Sequence, residues 1–392
     1  MKRLFAWLLV LLLTTSLITT ALATEEQEVI KRNLIGDGKG VTLKLTFSGE
    51  EFSKVPLEEV LTDFFNETGI STEVLYVPST GGWAGYFSKI QTMVAANDVP
   101  DLIRIAIEGF QVFYKNDMLE PLNAYAEKYP EFANLVIDNH PNLSAPYTID
   151  GQLYGYTFDW NNIVIHINTD ILKEVGLEMP PADWNRDLFL EYAQKMTFTR
   201  ADNTQVYGFM IPNYYFAFSA WLFNAGGSIL NDDMTKCMLD SPEAIELVQF
   251  FQDLVHKYKV APQPPVNESA FTAGQVAMGS WGRWPLRTYN ETDFKSVNIQ
   301  YVPTMKTNQV IFGSGLFPIL KSSENKDEAY KLAAWLSQPS SQAKILEVSH
   351  IPSSISVMEE VVRPATFPEN SFLYADAASI SRAVESPDTY ND

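Results

Sequence analysis

Two tryptophans and an arginine fall within four residues, Trp281, Arg283 and Trp284, in a stretch that also holds Gly279 and Gly282. An aromatic face suits the C–H side of a sugar ring, and an ionised carboxylate accepts hydrogen bonds from two neighbouring hydroxyls, so a polyhydroxylated ligand needs both groups together. Carboxylates and further aromatics stand at several candidate positions. Trp83 and Tyr86 follow Gly81-Gly82, Glu108 stands one residue past a predicted strand, and Asp159, Trp160 and Asn161 are consecutive. Ser48, Gly49 and Glu50 follow the first predicted strand. Three of these have a plainer alternative: the tryptophans of 281–284 could pack a core, Trp83 and Tyr86 could occupy a surface loop, and Glu108 could be a solvated loop acid. Asn231-Asp232-Asp233 lacks the spaced ligands of a calcium loop and reads as a turn.

Most catalytic chemistries lack their parts. The histidines, His140, His166, His256 and His350, are scattered, and none belongs to a zinc-type pair or neighbours a nucleophile. No G-x-S-x-G elbow occurs, and Gly81-Gly82 lacks the Lys-Ser/Thr of a phosphate loop. Cys237 is the only cysteine, so neither an intrachain disulfide nor a thiolate zinc site can form. No metal or cofactor is expected. A glycosidase needs only two carboxylates, and 48 acidic residues are present. A secreted carbohydrate-active enzyme therefore stays open, although the eight strand-helix units of a barrel do not appear. With 28 basic residues against those acids the net charge is -20, a field that repels phosphate backbones, and no nucleic-acid partner is expected.

The elements that would position these residues begin after an export signal. Lys2 and Arg3 precede an apolar run from Leu4 to Leu13, and Ala21-Leu22-Ala23 forms a small-x-small cleavage pattern. Cleavage after Ala23 is expected, with an uncleaved membrane anchor as the alternative. No cysteine follows the run, so a lipoprotein anchor is not expected and the periplasm is the simplest destination. The 392 residues are ample for two domains, and at 46% hydrophobic and 19% charged the chain has ordinary globular composition, with 13% aromatic residues.

Val41, Leu43, Leu45 and Phe47 alternate as in a strand, and Leu57, Val60, Leu61, Phe64 and Phe65 follow at helical spacing up to Gly69. A strand at 73–77, a helix through Phe87, Ile90 and Val94, and a strand at 102–107 complete an α/β order that predicts a parallel sheet with helices on its faces. Ligands bind beyond the carboxyl ends of such strands, here the loops 48–53, 78–86 and 108–113. Further along, strands are expected at 164–167 and 207–211. Helices are expected through Leu188, Tyr192 and Met196, from Pro242 with a buried stripe of Ile245, Val248, Phe251, Leu254 and Val255, and through Ala329, Leu332, Ala333 and Leu336.

Six passages in order resemble the extracellular solute-binding proteins of ABC importers, in particular the sugar-binding family related to maltose-binding proteins. They are Pro100-Asp101-Leu102-Ile103 with Leu119-Glu120-Pro121-Leu122; Asp150 to Tyr156 with Val164 to Asn168 and Asp170; Ala225-Gly226-Gly227; Leu230 to Asp233; Ser241 to Ala244; and Phe271 to Met278 with Trp281 and Trp284. The resemblance implies a two-lobed periplasmic-binding-protein fold of type II-like build, with an interlobe cleft and three hinge crossings. One lobe would span 36–158 plus 303–350, the other 162–298 plus 356–392. It implies a sugar or oligosaccharide ligand, delivery to ABC permease membrane subunits, a monomer, and no catalysis. Family lengths imply that roughly 30 to 50 further residues follow Asp392. By the same resemblance Trp284 matches the sugar-stacking tryptophan, Glu108 a first-lobe acidic contact, and Tyr214, Tyr215 and Phe216 a second-lobe contact where no acid stands here. Gly313 and Ser314 complete the candidate set. A variant reading keeps the fold but takes an acidic sugar, with Arg283 or Arg104 pairing its carboxylate.

Overall fold

The computed structural model describes residues 30–48, 51–78, 82–346, 349–385 and 387–388. The expected export signal at 1–23, and Gly49, Glu50 and Gly81, lie outside them. The first sheet is built as its strand-helix order predicts. Thr42–Ser48 runs parallel to Ser71–Val77 on one side and to Leu102–Ile103 on the other. The helix Glu51–Thr68 connects the first pair. Gly69, at φ +71°, ends that helix, its N–H donating to the Phe65 carbonyl at 2.8 Å. An edge strand, Lys31–Ile35, joins antiparallel to Ser71–Val77.

A second sheet places Val164–Asn168 between Met278–Trp281 and Val297–Tyr301, both antiparallel to it. A third sheet is assembled from segments that alternate in the chain with those of the other two. Its order is Ile351–Pro352, Thr157–Asn162, Val310–Leu316 and Ser381–Ala383, with Ile105–Ala106 also pairing to Val310–Leu316. Every residue of Thr157–Asn162 is buried. Phe158 packs on Phe317 at 5.0 Å between ring centres, and Phe317 in turn on Phe47, which fastens this sheet to the first.

Four expectations change. The strand expected over 102–107 is two short strands broken at Arg104, because Leu102–Ile103 pairs with the first sheet and Ile105–Ala106 with the third. The loop expected at 108–113 is the interior of a helix, Ile107–Lys115. No continuous strand forms over 207–211, since its backbone bonds are divided: Tyr207 pairs with Gln275 and Ala277, Phe209 donates to Val260 and Met210 to Met278. The helix Pro242–His256 starts as expected, with Ser241 Oγ accepting from Ala244 N–H at 3.3 Å, but its buried face is Ala244, Leu247, Phe251 and Leu254. Ile245 and Val248 are exposed, because Phe251 turns the helix toward the aromatic cluster around Trp221. The helix Lys326–Leu336 buries the four expected residues, with Asp327 and Glu328 in its first turn.

Candidate ligand cleft

The third sheet gathers residues from distant parts of the chain into one recess. A cavity of about 110 Å³ is bounded by the aromatic side chains of Trp83, Phe216 and Trp284 and by Glu108, Asp159, Asn161 and Ser314, with Arg104, Ala106, Trp160, Gly313, Gly315 and His350 completing its wall. An adjoining space of about 40 Å³ shares Trp83, Arg104, Asp159 and His350 with it and reaches Phe47 and Ser48. A larger groove of about 240 Å³ elsewhere, beside Arg186, Glu246 and Lys306, has no aromatic lining and its charges are paired with each other at the surface, so it lacks the groups that grip a sugar.

At the base of the cleft Arg104 and Asp159 form a buried ion pair, with Nη2 2.7 Å from both carboxylate oxygens. Arg104 Nη1 donates to the Ile105 carbonyl at 2.6 Å. The guanidinium lies within 6 Å of the rings of Trp83, Phe158 and Phe317, surroundings that suit a weakly hydrated planar cation. Gly315 makes room for the pair. A Cβ there would fall 2.2 Å from both Arg104 terminal nitrogens and 2.3 Å from Asp159 Oδ1.

Glu108 sits in the first turn of the helix Ile107–Lys115 and is 7% exposed. Burial pushes its carboxyl up to about 7, against the opposing pull of its own backbone N–H and of the Arg104 charge. Near neutrality it is therefore available as a protonated acid, able to donate as well as accept. Ser314 Oγ lies 2.7 Å from the Tyr147 hydroxyl, beneath the cavity wall.

The segment 281–284 divides between core and cleft. Trp281 is 1% exposed and packs on Phe271 and His166, with ring centres 5.2 and 5.5 Å apart, so it is a core residue and not a cleft residue. It ends the strand Met278–Trp281 in register with Val164, and the chain then turns so that Trp284, three residues on, reaches the cavity. His166 holds that turn from beneath: its Nε2 lies 2.9 Å from the Gly282 carbonyl and its Nδ1 3.2 Å from the Tyr289 hydroxyl. Burial pushes this imidazole down to about 3, so it is neutral, with Nε2–H donating to Gly282.

Of the remaining candidates, Trp83, Glu108, Asp159, Trp160, Asn161, Phe216, Gly313 and Ser314 all border the cavity. Asn161 Oδ1 also accepts from the Arg283 N–H at 2.9 Å, and the Trp160 indole donates to Pro352. Tyr86 does not reach the cavity: it is fully buried beside Trp83, its hydroxyl on Thr46 at 3.1 Å. Tyr214 bonds the Ser280 carbonyl and supports Trp284 edge-on, while Tyr215 is directed to the Glu385 carbonyl. Arg283 lies behind the wall, donating to the His350 carbonyl at 2.6 Å. Glu50 falls outside the described residues. Sequence reasoning missed Ala106, Gly315 and His350, and read Arg104 only as a partner for an acidic sugar. The one local signal was the alternation Gly313-Ser314-Gly315, where glycines inside a strand mark a close approach.

Residues 59–371 match the model of the bacterial extracellular solute-binding protein family, and the chain belongs to that family, whose members are binding proteins. An ABC substrate-binding protein of Listeria monocytogenes, solved in complex with cycloalternan, superposes with a TM-score of 0.77 at 25% identity, covering 90% of each chain. A maltose-bound MalE3 of T. maritima gives 0.72 at 20% identity over 90% of this chain and 91% of that one. By sequence, a maltotriose-binding protein of Pyrococcus abyssi is 22% identical over 309 residues, 76% of this chain and 64% of the relative. The fold is the two-lobed α/β architecture of these proteins. No helix among the described residues is long and apolar enough to cross a membrane.

Proposed function

We propose that the protein captures a sugar or oligosaccharide in the cleft between two lobes and delivers it to the membrane subunits of an ABC permease. The observation that carries this reading is the meeting of Trp83, Phe216 and Trp284 with Glu108, Asp159 and Asn161 around one cavity. Aromatic faces for C–H surfaces and polar groups for hydroxyls are what a pyranose requires; proteins solved with cycloalternan and with maltose share the fold, and a maltotriose-binding protein is similar in sequence. Lobe one comprises 36–158 with 303–350 and lobe two 162–298 with 356–392, joined by three crossings. The protein acts as a monomer in the periplasm after cleavage at Ala23. Ligand bridging both lobes stabilises the closed state through contacts absent when the cleft opens.

A thermal-shift screen against a carbohydrate library tests the reading. At least one glycan should raise the melting midpoint, since a ligand that binds only the folded state stabilises it, and the same glycan should reduce the radius of gyration in small-angle scattering. No shift with any glycan, or release of shortened products detected by mass spectrometry, would overturn it. Periplasmic protein should begin at Thr24 on N-terminal sequencing, and retention in the membrane fraction with Met1 intact would refute export by cleavage.

A further inference from the structure

Among the described residues, the side chains at the cleft that carry charge or can titrate are Arg104, Glu108, Asp159 and His350. Arg104 is the cation best placed to meet a ligand carboxylate, yet both of its terminal nitrogens are already engaged, one by the two oxygens of Asp159 and the other by the Ile105 carbonyl. Side-chain exposure is 6% for Arg104 and 5% for Asp159, so water does not screen the pair. The pair is also built in. A side chain at Gly315 would collide with both guanidinium and carboxylate where they lie against the strand Val310–Leu316, and three rings lie within 6 Å of the cation.

Resting on the reading of the cleft as a sugar site, we propose that Asp159 is a specificity-determining residue: by occupying Arg104 it makes the cleft select uncharged sugars and reject uronates. A uronate carboxylate entering beside the pair meets the Asp159 charge at close range and must give up its hydration without gaining a free guanidinium. A hydroxyl faces no such penalty, because a carboxylate held by Arg104 still has lone pairs with which to accept from it. Replacing Asp159 with asparagine removes the like charge and leaves the guanidinium able to form a charge-assisted bond to the ligand.

The test is calorimetry at pH 7 against two sets of probes: the neutral maltotriose, cellotriose and arabinotriose, and the acidic trigalacturonate and glucuronate-capped xylotriose. Wild-type protein should bind a neutral probe and bind every uronate at least about 10-fold more weakly. Asp159→Asn should gain about 10- to 150-fold for a uronate relative to the neutral probe, the range of one charge-assisted hydrogen bond. Arg104→Gln combined with Asp159→Asn should lose that gain. Wild-type protein that prefers a uronate, or a folded Asp159→Asn variant with no gain, overturns the proposal while leaving the sugar reading intact. If Asp159→Asn fails to fold by circular dichroism, the wild-type comparison decides: a neutral preference supports the proposal and a uronate preference overturns it. Binding of no probe in either set, together with a silent thermal-shift screen, overturns the sugar reading and this proposal with it.

Discussion

Glu108→Gln offers a direct measurement of what the cleft does to a carboxyl group. The side chain is 7% exposed and its carboxyl is raised by burial to about 7 from an ordinary value of 4.5. Below pH 4.5 the group is protonated both folded and unfolded, and the stability linked to it is fully present. Between 4.5 and 7 the unfolded chain releases its proton while the folded one keeps it, so stability is lost as pH rises through this window. A difference of about 2.5 pH units at about 1.4 kcal/mol each amounts to roughly 3 kcal/mol by pH 8. Glutamine has nearly the same shape and no such penalty. With an unfolding entropy near 0.8 kcal/mol/K for a chain of this length, the variant should melt about 4 °C above wild type at pH 8 and level with it at pH 4. Differential scanning calorimetry of the two proteins at both pH values reads this out. A gap of equal size at pH 4 and pH 8 would falsify the assignment, because a pure packing effect does not depend on pH.

The two tryptophans of the 281–284 segment should respond in opposite ways. Trp284→Ala should weaken glycan affinity about 5- to 150-fold, from loss of a stacking face, with the unliganded melting midpoint close to wild type. Unchanged affinity with a collapsed midpoint rejects the stacking role. Trp281→Ala should cost about 3–5 kcal/mol in urea unfolding, since its indole is enclosed by Phe271 and His166, and a loss under 1 kcal/mol would contradict that enclosure. His166, held down to about 3, contributes stability that is complete above its unfolded value of 6.5 and lost as pH falls toward 3, about 2 kcal/mol of it by pH 5. In urea titrations at pH 7.5 and pH 5, His166→Gln should lose less stability on acidification than wild type does; an equal loss refutes the neutral buried imidazole.

Periodicity located the elements because most of them bury one face. Thr42–Ser48 and the helix Glu51–Thr68 alternate or repeat as their burial demands, and the order of strands and helices was enough to indicate a parallel sheet. The failures share a cause. Residues 102–107 read as one apolar strand, but the two halves belong to different sheets, a fact fixed by partners more than 50 residues away. Residues 207–211 have strand-like composition, but their backbone bonds go to segments at 260, 275, 277 and 278 in turn. Ile245 and Val248 fit the helical repeat as well as Leu247 does; the aromatic cluster that Phe251 joins decides which face turns inward. Local pattern states that a residue can be buried, and tertiary partners choose among those that can.

The cleft shows the same division more sharply. Trp281 and Trp284 are chemically identical and three residues apart, and only the turn held by His166 at the Gly282 carbonyl separates a core residue from a cavity-lining one. Asp159 and Gly315 come from two paired strands of the third sheet, and Arg104 from the break between Leu102–Ile103 and Ile105–Ala106. Nothing near Arg104 in the sequence indicates that its charge is already matched, and nothing near Gly315 indicates that its missing side chain is what allows the match. Once the strands pair, these three positions depend on one another: the glycine makes the space, the aspartate neutralises the charge, and the arginine ties Leu102–Ile103 in the first sheet to Thr157–Asn162 in the third. Both adjoining cavities are lined by that junction. The pair proposed to set charge preference thus also joins the two sheets behind the cavity wall.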